Sequence, residues 1–351
     1  MRYNLLGRTG LFVSELCLGT MTFGHAGGRY AAASGVEQDE VDAIVRAACD
    51  AGINFIDMAN VYANGQSETM VGSALKTLGI ARHDMILATK FEHATGAGPN
   101  DSGGSRVHIM DAVKASLRRI GTDHIDLYQM HGFDPATPID ETLRALDDLV
   151  RQGHVRYIGV SNWAAWQVSR ALGVADRLQL SRFQSYQSYY SLVGRDAERD
   201  IIPMLAAEGL GMLVYSPLAG GYLTGKYRDG NTGGRRASVQ FPPVDEARGA
   251  QLLPVLDAIA AAHGSSMEAV ALAWLRHQPV VTSITLGVKT RDQLQANLAA
   301  ADITLHRDEL ERLNAAGAPA PEYPGWMLVN SSAARIALRD TGRLTTEAGA
   351  A

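Results

Sequence analysis

The 351-residue sequence predicts an α/β chain folded as a (β/α)8, or TIM, barrel with an N-terminal β-hairpin and long top-face loops. Three observations carry that expectation. Short apolar, β-branched runs alternate with helix-like segments, the pattern of a parallel sheet. Eight such runs follow one another without a break, which favours a closed barrel over an open doubly wound sheet. No G-x-G-x-x-G joins a strand to a helix, which argues against a Rossmann unit.

The elements follow in order. Residues 3–6, a Gly-Arg-Thr-Gly turn and residues 11–13 read as a β-hairpin covering the barrel's bottom. The expected strands are 16–19, 54–57, 85–90, 126–131, 155–161, 182–184, 212–216 and 281–287. Helical patterns occupy 39–51, 67–78, 105–120 and 138–151. In the last of these, Thr137 is the expected N-cap, with Pro138 at the first helical position and Asp140 and Glu141 in the first turn. Leu143, Leu146 and Val150 line one face, as packing on a sheet requires. Gly52, Gly79 and Gly153 stand where helices need a left-handed stop. Residues 227–247, rich in Gly, Arg and Pro, read as a long loop over the top face. Residues 1–330 are expected to form one barrel domain, followed by a partly disordered tail over 331–351.

Composition narrows the function classes. A hydrophobic content of 46% with 20% charged residues is ordinary for a globular enzyme. The net charge of −5 is spread along the chain, so nucleic acid is not an expected partner, and with no apolar run of membrane-spanning length a membrane is not expected either. Cys17 and Cys49 sit in apolar contexts and read as small core residues of a reduced compartment. With no signal-like N-terminus and no run of about 20 apolar residues, a cytoplasmic location is expected.

In a (β/α)8 enzyme the C-terminal strand ends converge on one bowl, where catalytic groups sit. Here Asp57, Lys90 and His131 close the second, third and fourth expected strands, and Tyr62 lies just beyond Asp57. Ser161 and Asn162 follow the fifth, Gln184 closes the sixth, and Tyr215 and Ser216 the seventh. Any one of these could be a cap or a satisfied core residue; four at four required positions point to shared chemistry. Reducing a ketone needs a hydride donor, a proton donor and a group that polarises the carbonyl oxygen. A phenol titrates near 10 on its own, too high for facile proton transfer at neutrality. A Lys90 ammonium beside Tyr62 would stabilise the phenolate, Asp57 would hold the ammonium, and His131 would hydrogen-bond the substrate oxygen.

These residues lie in stretches that together resemble the aldo-keto reductase superfamily from Leu6-Gly7-Arg8-Thr9-Gly10 to about Trp326. The stretches include Gly52-Ile53-Asn54-Phe55-Ile56-Asp57, Ile125-Asp126-Leu127-Tyr128-Gln129-Met130-His131 and Tyr215-Ser216-Pro217-Leu218-Ala219-Gly220-Gly221. The resemblance implies nicotinamide-dependent interconversion of a carbonyl and an alcohol, with NADP(H) preferred and NAD(H) possible. It implies Asp57, Tyr62, Lys90 and His131 as a catalytic tetrad. Ser161, Asn162 and Gln184 would hold the nicotinamide carboxamide, Tyr215 would stack on its ring, and Gly19 and Thr20 would meet it from the first strand. Ser216, Leu218 and Gly220 would lie along the pyrophosphate. Gly287, Lys289, Gln293 and Asn297 would serve the adenosine phosphate, with Lys289 on a 2′-phosphate. Ala296 stands where the family often has an acidic residue contacting the adenine. The small-molecule pocket is expected near Phe23, Phe91, His93, Trp163, the 227–247 loop and Trp326.

Other readings are weaker. Gly220-Gly221-Tyr222-Leu223-Thr224-Gly225-Lys226 nearly spells a P-loop, but Tyr227 stands where Ser or Thr must bind magnesium. The histidines show no metal-ligand spacing, so no metal is expected. Lys90 could instead form a Schiff base in a lyase. The superfamily also contains potassium-channel β subunits, so a redox-sensing binding protein is the alternative without turnover. The substrate, the reaction direction and the oligomeric state are not legible.

Overall fold

A computed structural model of the chain describes residues 1–27, 31–228, 234, 236, 239–328, 331–332 and 335. The chain divides into two units, Met1–Gly317 and Ala318–Ala351. The barrel unit therefore ends earlier than the expected 330. Pro319 and Pro321 cannot continue the helix that closes at Ala316. In the second unit the Tyr323 and Trp326 rings meet edge to face at 6.1 Å. Residues 336–351, most of the expected tail, lie outside the described residues.

The first unit opens with a two-stranded antiparallel hairpin, β1 (Tyr3–Leu5) and β2 (Phe12–Ser14). The barrel strands are β3 (Leu16–Gly19), β4 (Phe55–Asp57), β5 (Ile86–Phe91), β6 (Ile125–Met130), β7 (Val155–Ser161), β8 (Phe183–Tyr189), β9 (Gly211–Tyr215) and β10 (Val281–Gly287). They pair in parallel in sequence order, and β10 closes the circle between β9 and β3. The helices that return the chain include α1 (Gln38–Asp50), α2 (Gln66–Thr77), α3 (Arg106–Ile120) and α4 (Ile139–Arg151). Among the described residues no helix is long and apolar enough to cross a membrane.

Strand alternation sorts the core into two layers. One cluster joins Cys17, Phe55, Ala88, Leu127 and Leu213 from the strands with Leu6 and Val13 from the hairpin, so the hairpin plugs the lower end of the barrel interior. A larger cluster, including Leu18, Ile56, Tyr128 and Val160, packs the outer strand faces on the helices. Gly7 makes the plug possible. It has φ +58°, and a Cβ there would lie 2.3 Å from the Gln184 carbonyl oxygen. Gly7→Ala is therefore expected to destabilise the barrel by about 1–3 kcal/mol, read as a lower Tm in a thermal melt.

Two expected boundaries are corrected. Pro138, not Thr137, is the N-cap of α4, with ψ 131°. The Thr137 hydroxyl instead donates to Asp134, which also accepts the Gly104 and Ala136 amides and organises this turn. The sixth barrel strand is not 182–184 but β8, which continues to Tyr189. Of the 227–247 loop, residues 229–233, 235 and 237–238 lie outside the described residues. Arg236 donates to the carbonyls of Ala219 and Pro242.

Candidate active site

Asp57 ends β4 opposite Ala88 of β5, and Lys90 stands two residues further on, on the same strand face. The Lys90 side chain has no solvent exposure. Its Nζ lies 2.5 Å from Asp57 Oδ2 and donates to the Met58 carbonyl at 2.9 Å. The second Asp57 oxygen accepts from Gln129 Nε2 at 3.0 Å. Burial alone pushes a lysine towards its neutral form. Here the Asp57 carboxylate, with Tyr62 adding to it, outweighs burial and holds the Lys90 ammonium above its ordinary range. Lys90 is a fixed positive charge in a dry interior.

The segment after β4 brings a phenol to that charge. The backbone runs through left-handed Ala63 (φ 46°), Asn64 (φ 53°) and Gly65 (φ 89°) before α2 begins. Gly65 suits this turn because its φ of 89° is one that residues with a side chain rarely adopt, and a Cβ there would also crowd the Arg119 side chain. The start of α2 anchors the segment. Ser67 Oγ lies within hydrogen-bonding reach of the Thr20 carbonyl and hydroxyl at 2.9 and 2.7 Å, and buried Glu68 accepts from Thr89 and Arg119 at 2.6 Å each. Tyr62 is thereby held in a nearly buried position, its ring centroid 5.3 Å from Lys90 Nζ. The His131 ring meets it edge to face at 5.9 Å.

A second set of groups continues round the bowl. His131 follows β6, and its carbonyl accepts from Asn162 Nδ2 at 2.9 Å. Asn162, at φ 60°, accepts the Tyr215 hydroxyl at 3.0 Å through Oδ1. Burial, with Tyr62 and Tyr189 adding to it, pushes the Tyr215 phenol up to about 12, so Tyr215 stays a neutral donor. Ser161 Oγ donates to the Gln187 carbonyl at 3.0 Å. Gly19 and Thr20 lie beside Asp57, whose carbonyl accepts the Thr20 amide at 3.1 Å. After β9 the chain turns through Ser216 (φ 49°) and Leu218 to Gly220 (φ 66°). Gly287 ends β10 beside Gly19. Lys289 donates its amide to Gln293 Oε1 at 2.8 Å and its ammonium to the Ser34 and Ala32 carbonyls at 3.0 and 3.3 Å. Asn297 is buried in the helix 291–298 that follows.

Some expected site residues are placed elsewhere. Gln184 is the second residue of β8, near the hairpin end of the barrel, with its amide nitrogen on the Arg182 carbonyl. Level with Ser161 stands Gln187, whose Nε2 is buried without a hydrogen-bond partner. Phe23 and Phe91 have 0% exposure and belong to the outer cluster, so neither offers a wall to a ligand. Phe91 neighbours Lys90 and faces the opposite way, stacked on Tyr128 at 4.6 Å. Trp163 is 3% exposed, wedged between the Phe133 and Phe183 rings. Trp326 belongs to the second unit. Gln129 was not anticipated; its signal is its position two residues before His131, on the inward face of β6.

The model of the aldo/keto reductase family matches residues 15–318. That chain belongs to the aldo/keto reductase family. It is 38% identical to an uncharacterized oxidoreductase, YrpG, of Bacillus subtilis, over 93% of this chain and 100% of the relative. It is 37% identical to a probable voltage-gated potassium channel subunit beta of rice, over 86% of this chain and 92% of the relative. It is 31% identical to the versiconal hemiacetal acetate reductase of Aspergillus parasiticus, over 93% and 99% respectively. Membership in the aldo/keto reductase family makes the chain an oxidoreductase of the carbonyl-reducing type.

Proposed function

We propose that the chain is an NADP(H)-dependent aldo-keto reductase in which Tyr62 is the general acid and base for an aldehyde or ketone and its alcohol. The observation that carries this reading is the buried Asp57–Lys90 ion pair beside a phenol that meets an imidazole edge to face.

The residues fit a nicotinamide cofactor. The buried, unpartnered amide nitrogen of Gln187 beside Ser161 is a donor suited to a carboxamide oxygen. Gln187 therefore takes the role first assigned to Gln184, with Ser161 and Asn162, and Tyr215 offers a ring for stacking. The nicotinamide, when bound, would supply the hydride. Tyr62 would give its proton to the carbonyl oxygen, and His131 would hold that oxygen by a hydrogen bond. Lys90 would stabilise the resulting phenolate, while Asp57 and Gln129 would keep the ammonium charged and fixed. The same fixed charge speaks against a Schiff base, which needs a neutral amine.

Lys289 would take the 2′-phosphate of NADP with the third of its ammonium donors. Lys289→Ala is expected to weaken NADPH binding about tenfold with NADH affinity unchanged, measured by fluorescence titration of both. Equal loss for both cofactors, or none, removes this assignment. The overall reading is tested by following NADPH absorbance with a panel of aldehydes and ketones. Turnover with any of them supports it; cofactor binding without turnover would favour a binding protein, the alternative in line with the channel-subunit name of the rice relative.

A further inference from the structure

We propose that His93 is a positioning residue for His131, clamped by the strained Glu92; this rests on the assignment of His131 to the substrate oxygen.

Four observations converge on the ends of β5 and β6. The imidazoles of His93 and His131 are stacked, with centroids 4.3 Å apart and planes 26° from parallel. Glu92 Oε2 lies 2.7 Å from His93 Nδ1. Glu92 has φ 104°, a region a residue with a side chain rarely adopts, and such strain persists only where surrounding contacts enforce it. Those contacts are present: Gly103 donates its amide to the Glu92 carbonyl at 2.7 Å, and the Glu92 carboxylate lies so close to Gly132 that a Cβ there would meet Oε2 at 2.9 Å.

The arrangement has a mechanical reading. An imidazole turning about its χ2 has a broad torsional well, and turning would carry the nitrogens of His131 off the substrate oxygen. The Tyr62 ring bounds His131 at an edge, at 82°. His93 covers a face. The Glu92 carboxylate, 2.7 Å from Nδ1 but outside hydrogen-bond geometry, limits where the His93 ring can move, so the stack constrains the plane of His131. Only about a quarter of the His93 side chain is exposed, at 27%, so its principal contact surface is protein. A substrate-wall role alone would leave the strain at Glu92 and the close approach to Gly132 without purpose.

The test uses the full-length chain with NADPH and 4-nitrobenzaldehyde, comparing His93→Ala and His93→Phe. His93→Ala is expected to lower kcat about tenfold with both KM values nearly unchanged. His93→Phe is expected to recover most of kcat, since a flat ring restores the stack. The imidazole Hε1 resonance of His131, assigned by its loss in His131→Ala, should move and broaden in His93→Ala and return in His93→Phe. A rise in KM at constant kcat, or a His131 resonance indifferent to residue 93, overturns the proposal. If the parent protein turns over no carbonyl, the proposed function fails, while the resonance still decides whether His93 holds His131.

Discussion

Replacing Tyr62 by Phe is expected to lower carbonyl reduction by about 10²–10⁴-fold, with NADPH affinity left close to that of the parent. The variant keeps the ring, and so the edge contact with His131 and the place beside Lys90. It removes only the hydroxyl. The loss would therefore appear in kcat rather than in KM, the signature of an interaction made in the transition state. Neither of two other phenols described near the site substitutes for it in the proposed step. Tyr215 is held as a neutral donor to Asn162, and Tyr186 is turned to the Trp163 carbonyl. A Tyr62→Phe protein with full turnover would remove the proton donor from the mechanism.

Lys90→Met is expected to fail in two ways, and the two can be separated. Removing the ammonium leaves the Asp57 carboxylate 3% exposed with Gln129 as its remaining side-chain donor. Breaking a buried pair this way costs about 3–5 kcal/mol, read as a large fall in the denaturation midpoint. Asp57→Asn combined with Lys90→Met removes both charges and should recover much of that stability, because an amide and a thioether need no counter-ion. Activity should not return, since nothing would then stabilise the Tyr62 phenolate. The pH dependence follows from the direction of the Lys90 shift. The folded protein holds the ammonium above its ordinary range, so the pair's contribution is complete below the unfolded lysine value of about 10.4. It declines only as pH rises through the higher folded value. The stability difference between the parent and the double variant should be flat through neutrality and shrink in alkali.

Much of the architecture was legible because a parallel barrel writes itself as apolar, β-branched runs. The strands 16–19, 155–161 and 281–287 were read to the residue. β8 was not, because Ser185-Tyr186-Gln187-Ser188-Tyr189 carries little aliphatic character. Its inward polar positions face the bowl rather than a greasy core, so the apolar signal stops where the site begins. The misplacement of Gln184 follows directly from that lost end. Phe91 was misread for a related reason: adjacency to Lys90 in sequence means opposite faces in a strand, and its ring is spent on the helix layer. The same alternation, applied to β6, would have found Gln129 two residues before His131. Contacts between distant segments were beyond reach. Neither the left-handed Glu92 nor the His93–His131 stack leaves a mark in local pattern, since each is set by β5 and β6 ending side by side.

A crystal structure of the protein with NADP and a non-reducible carbonyl analogue tests the proposed site geometry most directly. The ligand oxygen is expected within hydrogen-bonding distance of both the Tyr62 hydroxyl and a His131 ring nitrogen. The reacting carbon should sit about 3–3.5 Å from nicotinamide C4, with the carboxamide on Ser161, Asn162 and Gln187. A ligand oxygen that contacts neither Tyr62 nor His131, or a nicotinamide seated away from the Asp57–Lys90 pair, would contradict it.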